Sequence, residues 1–500
     1  MSQPTPVTPI DAPPSEVTER IVGPRVPVDD ALADRLRSVC AEVTVDDGAR
    51  AEAGRDWWPL AIRWATRGAV PARPAVVARP TDAEQVAAVL AACHDARVPV
   101  TAVAGRSGVC GSSVPVFGGV SLDLCALAGV VELDTTSLVA DVRPGTFGPD
   151  LEAELRRHDV TLGHWPQSMD LSTVGGWVAC RGAGQYSTRY GKIEDMVTGL
   201  EVALADGRVV RTGGSGPRAA LGPDLSQLFV GSEGVLGVIT EAQVRLHPVA
   251  PAQGRRAYGL AGFGQGLEVC RRVLRRGATP AVLRLYDATE SARNFELADV
   301  SALVVLDEAD EGLLDATLAV VDAECAAAGA QPLDEQVVAH WVEHRNDVSA
   351  LAPLYRAGIV VDTVEIAARW SVLGPLYDEC VAALAAIEGT LAASAHQSHA
   401  YVDGACLYFT FAGRGPDGDD EWAERYYTSA WRVVMDTVRA HGGAISHHHG
   451  VGVNRGRFLA DALGPAFDVL VSLKETLDPR GILNPGKLGL PSPFGEVQWP

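Results

Sequence analysis

The sequence predicts an α+β protein of two or three domains, on three observations. At 500 residues the chain is too long for one compact core, given roughly 150 residues per domain. Short strands and helices alternate from the AVVARP run to the GVITEAQVRLHP run. Past Pro248, Pro251 and Gly254 a second set of strands appears, interleaved with alanine-rich helices. The chain is expected to divide into residues 1–70 (a leader and a helical segment), 71–249, 250–445, and a C-terminal segment, 446–500, that completes the site.

Taken in order, a small helical piece runs from Asp29 to Arg67 and carries the aromatic pair Trp57 and Trp58. AVVARP is a strand, and Thr81 with Glu84 makes a capping box for a helix to about Asp95. VPVTAV runs into a glycine loop, and GVSLDL follows. GVVELD with LVADVRPG reads as a hairpin, FGPDLEAELRRHD as an amphipathic helix, and VTGLEVALADGRVVRTG as a hairpin turning at Asp206-Gly207. In the second block RRAYGLAGF, AVLRLYD and SALVVLDE are strands and EGLLDATLAVVDAECAAAG is a helix. A strand pair spans Gln397 to Gly413, and a long helix runs from Asp419 to His441.

Composition removes several functions. The chain is 47% hydrophobic and 21% charged, which is globular, and its net charge of −21 would repel a nucleic-acid backbone. Lys192, Lys474 and Lys487 are the only lysines, so Schiff-base or phosphate-loop chemistry has three candidates. Nine cysteines without a C-x-x-C pair indicate a reducing compartment. No stretch reaches the ~18 apolar residues of a membrane span. The proline-rich start, MSQPTPVTPIDAPPSEVTERIVGPRVP, reads as a solvated leader and not a signal peptide. A cytoplasmic location is the expectation.

Three glycine-hinged segments carry the first chemistry: Ala102 to Ser113, Gly163 to Val197 and Gly231 to Thr240. Backbone N–H groups in such loops can wrap an anion, and so long a non-periodic stretch as the second is usually functional. Together they suit a large, flat, polyanionic cofactor. GILNPGKL matches a phosphate loop except that Leu488 replaces the magnesium-binding hydroxyl residue. HWVEH, His340 to His344, has inverted zinc-protease spacing but no third ligand, and reads as an exposed helix face. Along an extended chain His447, His448 and His449 would leave only two rings facing one way, so a polar cluster is favoured over a metal and no metal is expected.

PAVVARPTDAEQVAAVLAACHDARVPVTAVAGRSG, GSEGVLGVIT and DPRGILNPGK together resemble the flavoenzyme superfamily of vanillyl-alcohol oxidase and p-cresol methylhydroxylase, over about residues 70 to 490. Within it, TLGHWPQSMDLSTVGGWVACRGAG, YGKIEDMV, YVDGACLYFTF and ISHHHGVG are most similar to the alkylglycerone-phosphate synthase family. The resemblance implies an FAD-binding domain over 71–249 with an α+β cap (substrate) domain over 250–445. It implies FAD held by Ala102, Val103, Ala104, Gly105, Arg106, Ser107 and Gly108, and by Gln167, Ser168, Met169, Asp170, Leu171, Ser172 and Thr173. It adds Cys180, Arg181, Gly182 and Ala183, then Glu233, Gly234, Val235, Leu236, Gly237, Val238 and Ile239. Covalent members often carry a histidine in the first loop; Cys110 stands near that place here, so noncovalent FAD is expected.

The family reaction exchanges the acyl group of an acylated dihydroxyacetone phosphate for a fatty alcohol, making an ether lipid precursor with no net redox change. The resemblance assigns acid/base chemistry to Tyr408 and places His164, Arg284 and the cluster His447, His448 and His449 around the phosphate and the flavin; a phenol can shuttle a proton if nearby cations lower its pKa. Arg284 would hold substrate with Arg356, Arg345 being the fallback. Val453 and Asn454 replace the Lys-Leu that the family places before Arg455, which leaves room for a different anionic substrate. The partner expected is a phosphorylated or carboxylated, lipid-like small molecule, with peripheral membrane contact and homodimerisation open. The rival reading is an FAD-linked dehydrogenase or oxidase of a D-2-hydroxy acid; a flavin-storing scaffold is the non-enzymatic one.

Overall fold

The computed structural model describes residues 8–348, 351–416 and 419–498. The first seven residues of the leader and the last two of the VQWP terminus lie outside these. Three larger sheets organise the chain. The first has four strands in the order Glu42–Thr44, Val76–Arg79, Val120–Asp123, Val100–Val103, the last three parallel. Parallel strands need a crossover, which the helix Ala83–Ala96 supplies between Val76–Arg79 and Val100–Val103, leaving a gap that Val120–Asp123 fills. Its cap is Asp82, whose side chain accepts from the Gln85 amide, one residue along from the expected Thr81–Glu84 box. The second sheet has five antiparallel strands drawn from residues 130–245, and includes both expected hairpins.

The third sheet positions the site. Seven antiparallel strands run in the order Gln331–Leu333, Ala252–Leu260, Ser301–Ala309, Val282–Tyr286, Thr390–Ala400, Gly404–Gly413, Val360–Arg369. The last of these, and the Glu42–Thr44 edge strand, have no counterpart in the sequence reading. Side chains alternate across a strand with period two, and here that separates core from cavity. Leu283, Leu285, Ala395, Leu407, Phe409, Phe411, Val364 and Ile366 join the apolar core. Arg284, Tyr286, His396, Ser398, Tyr408, Thr410, Val361 and Thr363 face a cavity on the other side. Register then aligns Tyr286 with His396, His396 with Tyr408, and Tyr408 with Glu365, one row across four strands.

The leader docks on the folded chain at a few points, while Pro13 to Glu16, Val22, Pro24 and Pro27 stay exposed. Val17 and Ile21 are buried, Thr18–Glu19 pairs with Ala69–Val70, and Arg20 bonds the Glu424 carboxylate at 2.6 and 2.7 Å. A proline-rich composition predicts little burial on average, but two apolar residues and one ion pair suffice to dock it. The C-terminal segment returns to the first block. Asn484 donates to the Ser112 and Glu233 carbonyls, and Lys487, fully buried, donates to the Val114 carbonyl at 2.6 Å. Lys474 is held by Asp478, Val235 and Leu483, and Lys192 pairs with Asp195. All three lysines are therefore engaged in structure, and GILNPGKL is a packing element.

Candidate active site

Between the glycine segments and the seven-stranded sheet lies a cavity of about 820 Å³. Its glycine wall takes Ala102 to Gly108, Gln167, Ser168, Leu171 to Thr173, Cys180, Gly182, Ala183, Glu233, Gly234 and Gly237 to Ile239. Five of the expected cofactor residues lie off it. Met169 packs into the core beside Gly148, Asp170 is exposed, and Arg181 caps a helix in the left-handed region and pairs with Glu194. Val235 and Leu236 point into the core.

The wall fits a flat anionic cofactor. The amides of Gly105, Ser107 and Gly108 donate to nothing among the described residues, leaving an open nest of N–H groups. A Cβ on Gly105 would overlap the Leu171 carbonyl, so only glycine lets the first two segments meet. Gly234 has φ +75° and a Cβ there would find nothing nearer than 3.8 Å, so its face opens onto free space. His164 is wholly buried against Trp177, and neither ring nitrogen has a partner among the described residues. Burial alone drives its pKa down to about 3, so it is a neutral imidazole with unused hydrogen-bonding capacity.

Opposite stand Tyr408 and the histidines. The Tyr408 hydroxyl lies 2.7 Å from His448 Nε2 and 3.4 Å from His449 Nε2, with His396 stacked on its ring at 4.8 Å. Burial pushes the phenol well above its ordinary range, outweighing Arg284 and Arg455; the expected cation-lowered pKa is not found. His447, His448 and His449 form a bend, not an extended run, because Glu365 gathers them. Its carboxylate accepts from the His447 amide at 2.5 Å, the His449 amide at 2.9 Å, Ser446 Oγ at 2.9 Å and Arg455 at 2.9 Å. Burial would raise the Glu365 pKa, but Arg455 and these neighbours hold it well below the carboxylate range. His448 and His449 line the cavity; His447 sits behind, its Nδ1 2.9 Å from His448 Nδ1. Burial also lowers all three, His447 and His448 to about 3 and His449 to about 4, so they are neutral.

His399, which sequence reasoning missed, joins His447 and His448 with ligand atoms within 4.8 Å of one another, as do Glu365, Cys406 and His448. Either set could hold a cation, but both use His448, whose nitrogens already bond Tyr408 and His447.

Arg284 lines the cavity beneath Tyr286 and Trp341, bonded to His396 and Ser398 and, among the described residues, to no carboxylate. Arg356 does not join it: it lies exposed, off the cavity. Arg345 does, caged by Trp165, Tyr186 and Trp341 and bonded to Gln185 at 2.7 Å. Trp341 thus faces both arginines. His340 and His344 are exposed on the cavity lining, their rings 4.2 Å apart and tilted by 33°. Another wall, joined to the glycine wall at Leu171, is apolar: Trp57, Ile62, Val109, Leu171, Val348, Leu351, Leu354 and Val361 form one cluster. Sequence reasoning missed this wall and also Glu290, because they come together only in the tertiary fold. The Cys110 thiol faces away, 3.4 Å from an Arg455 nitrogen.

Fold and site together define a flavin-binding enzyme architecture, and comparison with known proteins makes the class specific. Residues 74–213 match an FAD binding domain and residues 255–488 match the C-terminal domain of FAD linked oxidases. The chain belongs to this FAD-linked oxidase family. It is 30% identical to the uncharacterized FAD-linked oxidoreductase YgcU of Escherichia coli (strain K12), covering 83% of this chain and 89% of that protein. It is 28% identical to alkyldihydroxyacetonephosphate synthase of Dictyostelium discoideum, covering 84% and 74%. It is also 28% identical to glycolate oxidase subunit GlcD of Bacillus subtilis (strain 168), covering 83% and 89%. Solved structures of an alkyldihydroxyacetonephosphate synthase (TM-score 0.78, 23% identity, covering 94% and 89%) and of p-cresol methylhydroxylase (0.76, 17%, 94% and 99%) share its fold. Among the described residues, no helix is long and apolar enough to cross a membrane.

Proposed function

We propose that this chain is an alkyldihydroxyacetonephosphate synthase-like transferase, exchanging the acyl group of acylated dihydroxyacetone phosphate for a fatty alcohol. The observation that carries this is the division of one cavity into two chemistries. Arg284 and Arg345 flank Trp341 on one wall, while eight apolar side chains from Trp57 to Val361 form another. A small hydroxy acid has an anionic group but no aliphatic chain to fill the second wall; an acylated sugar phosphate has both.

Bound FAD would supply an electrophilic centre for the substrate carbon. The glycine wall would hold it noncovalently, with the open amides of Gly105, Ser107 and Gly108 taking its phosphates. Arg284 and Arg345 hold the substrate phosphate, since planar guanidinium forks match phosphate oxygens. Tyr408 moves the substrate proton. Held as a neutral phenol by burial, it acts as a base only by passing its proton to His448 Nε2, and His448 can hand its Nδ1 proton to His447. His164, neutral and without partners, lies on the cofactor side. The bond between the substrate carbon and the ester oxygen breaks and the fatty acid leaves as its carboxylate; the alcohol oxygen bonds that carbon as it loses its proton to solvent, and the relayed proton returns to the carbon through Tyr408.

The second reading, hydride removal from a D-2-hydroxy acid, is supported by the glycolate oxidase relative, and the arginines suit a carboxylate equally. One experiment divides them. The holoenzyme is incubated anaerobically with acylated dihydroxyacetone phosphate plus hexadecanol, and separately with D-lactate or D-2-hydroxyglutarate. The proposal expects ether product and fatty acid in equal amounts, with the oxidised flavin spectrum recovered at the end. Flavin reduced by a hydroxy acid, with no ether formed, would establish the second reading instead.

A further inference from the structure

Arg284 is held in an unusual way. It donates from Nη2 to His396 Nε2 at 2.7 Å and from Nη1 to Ser398 Oγ at 3.3 Å. A guanidinium has donors only, so His396 Nε2 must present its lone pair and the ring proton must sit on Nδ1. That proton is donated to Glu290 Oε2 at 2.7 Å. Glu290 is completely buried, and its other oxygen accepts from Thr410 at 2.7 Å and Ser394 at 3.1 Å and pairs with Arg293 at 3.2 Å. Every partner of Glu290 is a donor, so it is fixed as an acceptor. Burial lowers the His396 pKa, which keeps the ring neutral as this arrangement requires.

We propose that Glu290 and His396 are positioning residues that lock Arg284, through one imidazole tautomer, into the orientation that receives the anionic group of the substrate. The chain Glu290–His396–Arg284 leaves Arg284 without a carboxylate and with N–H donors to spare, its Nε buried and unpartnered. A carboxylate placed directly on Arg284 would neutralise it; placed one imidazole away, Glu290 orients it and leaves its charge for the ligand. His396 also stacks under Tyr408 at 4.8 Å, so the same ring links the anion site to the proton-transfer site. This rests on the reading that Arg284 meets the substrate's anion, whichever of the two chemistries follows.

The test is binding of inorganic phosphate to the FAD-loaded protein, read as a perturbation of the flavin absorbance. Glu290→Gln keeps the shape but offers an amide donor to His396 Nδ1. The ring proton then moves to Nε2 and confronts the Arg284 N–H. Phosphate affinity should fall at least about tenfold, the range of a hydrogen bond to a charged group, with FAD content unchanged. His396→Phe keeps the ring on Tyr408 but has no acceptor and should fall similarly. His396→Gln, whose amide oxygen can accept from Arg284, should stay within a few-fold of wild type. If Glu290→Gln does not fold, the two His396 variants decide.

Equal phosphate affinity in wild type and either Glu290→Gln or His396→Phe would overturn the tautomer lock. If Arg284→Lys also binds phosphate like wild type, the assignment of Arg284 to the anion has failed as well. If Arg284→Lys weakens binding and Glu290→Gln does not, only the lock is wrong. A wild-type holoenzyme that binds no phosphate would overturn both.

Discussion

The Tyr408 hydroxyl sits 2.7 Å from His448 Nε2, and His448 Nδ1 sits 2.9 Å from His447 Nδ1, so one phenol and two neutral imidazoles form a continuous chain. Removing only the hydroxyl breaks the chain at its start and leaves the ring stacked on His396. Positioned acid/base groups contribute about 10²- to 10⁴-fold. Tyr408→Phe should therefore fold and retain FAD yet lose at least about 100-fold in kcat. Turnover within a few-fold of wild type would show that the proton takes another route.

Arg345 and Arg356 separate cleanly by substitution. Arg345 stands on the cavity wall inside an aromatic cage, whereas Arg356 is exposed outside it. Arg345→Ala should raise KM for the phosphorylated substrate about tenfold or more. Arg356→Ala should alter KM and stability little, as surface changes usually do. Arg284→Lys should also raise KM, because a point charge cannot reproduce a bidentate fork. A KM effect from Arg356→Ala alone would invert the assignment.

Cys110, the residue nearest the place of the covalent histidine, points its thiol at Arg455 and away from the cavity. FAD should accordingly come free when the protein is precipitated with acid. Yellow colour remaining in the washed pellet would show a covalent bond.

What the sequence made legible depended on how local the cause was. Tyr408 could be placed by alternation, because Leu407, Phe409 and Phe411 mark the buried face of its own strand. The glycine segments could be read because each lines the cavity with a local run of its own backbone. His396 and Glu290 could not, since their roles exist only through cross-strand register and a helix packed beneath it. Glu365 could not either, since nothing local shows that its carboxylate draws three histidines into a bend. The leader misled for a related reason: its composition reports average solvation, whereas Arg20 meets Glu424 only 404 residues away.

Glu365 and Arg455 are both fully buried and 2.9 Å apart. Removing one partner of such a pair leaves an uncompensated charge, a loss of about 3–5 kcal/mol. Arg455→Met should lower stability to urea by about that amount, and the histidine bend should loosen with it. Glu365→Gln should lose less stability, since Arg455 keeps the Gly450 and Glu365 carbonyls as acceptors, but should lose catalysis through misplaced His448. An Arg455→Met protein as stable as wild type would mean that the carboxylate has other support.

His164 gives the last prediction a definite sign. Its pKa falls from about 6.5 unfolded to about 3 folded, through burial. Between those values the unfolded chain binds a proton that the folded chain does not, so stability rises with pH and is lost as pH drops below about 6.5. Each such group adds a slope of about 1.4 kcal/mol per pH unit. His447, His448 and His449 shift in the same direction, so the FAD-free protein should weaken steeply from pH 6.5 toward pH 4. His164→Phe, which can keep the contact with Trp177, should make that slope shallower by about one proton's worth. Urea unfolding at half-unit pH steps measures it directly. An unchanged slope in the variant would mean that His164 is protonated in the folded protein, and that its nitrogens have partners the geometry does not give them.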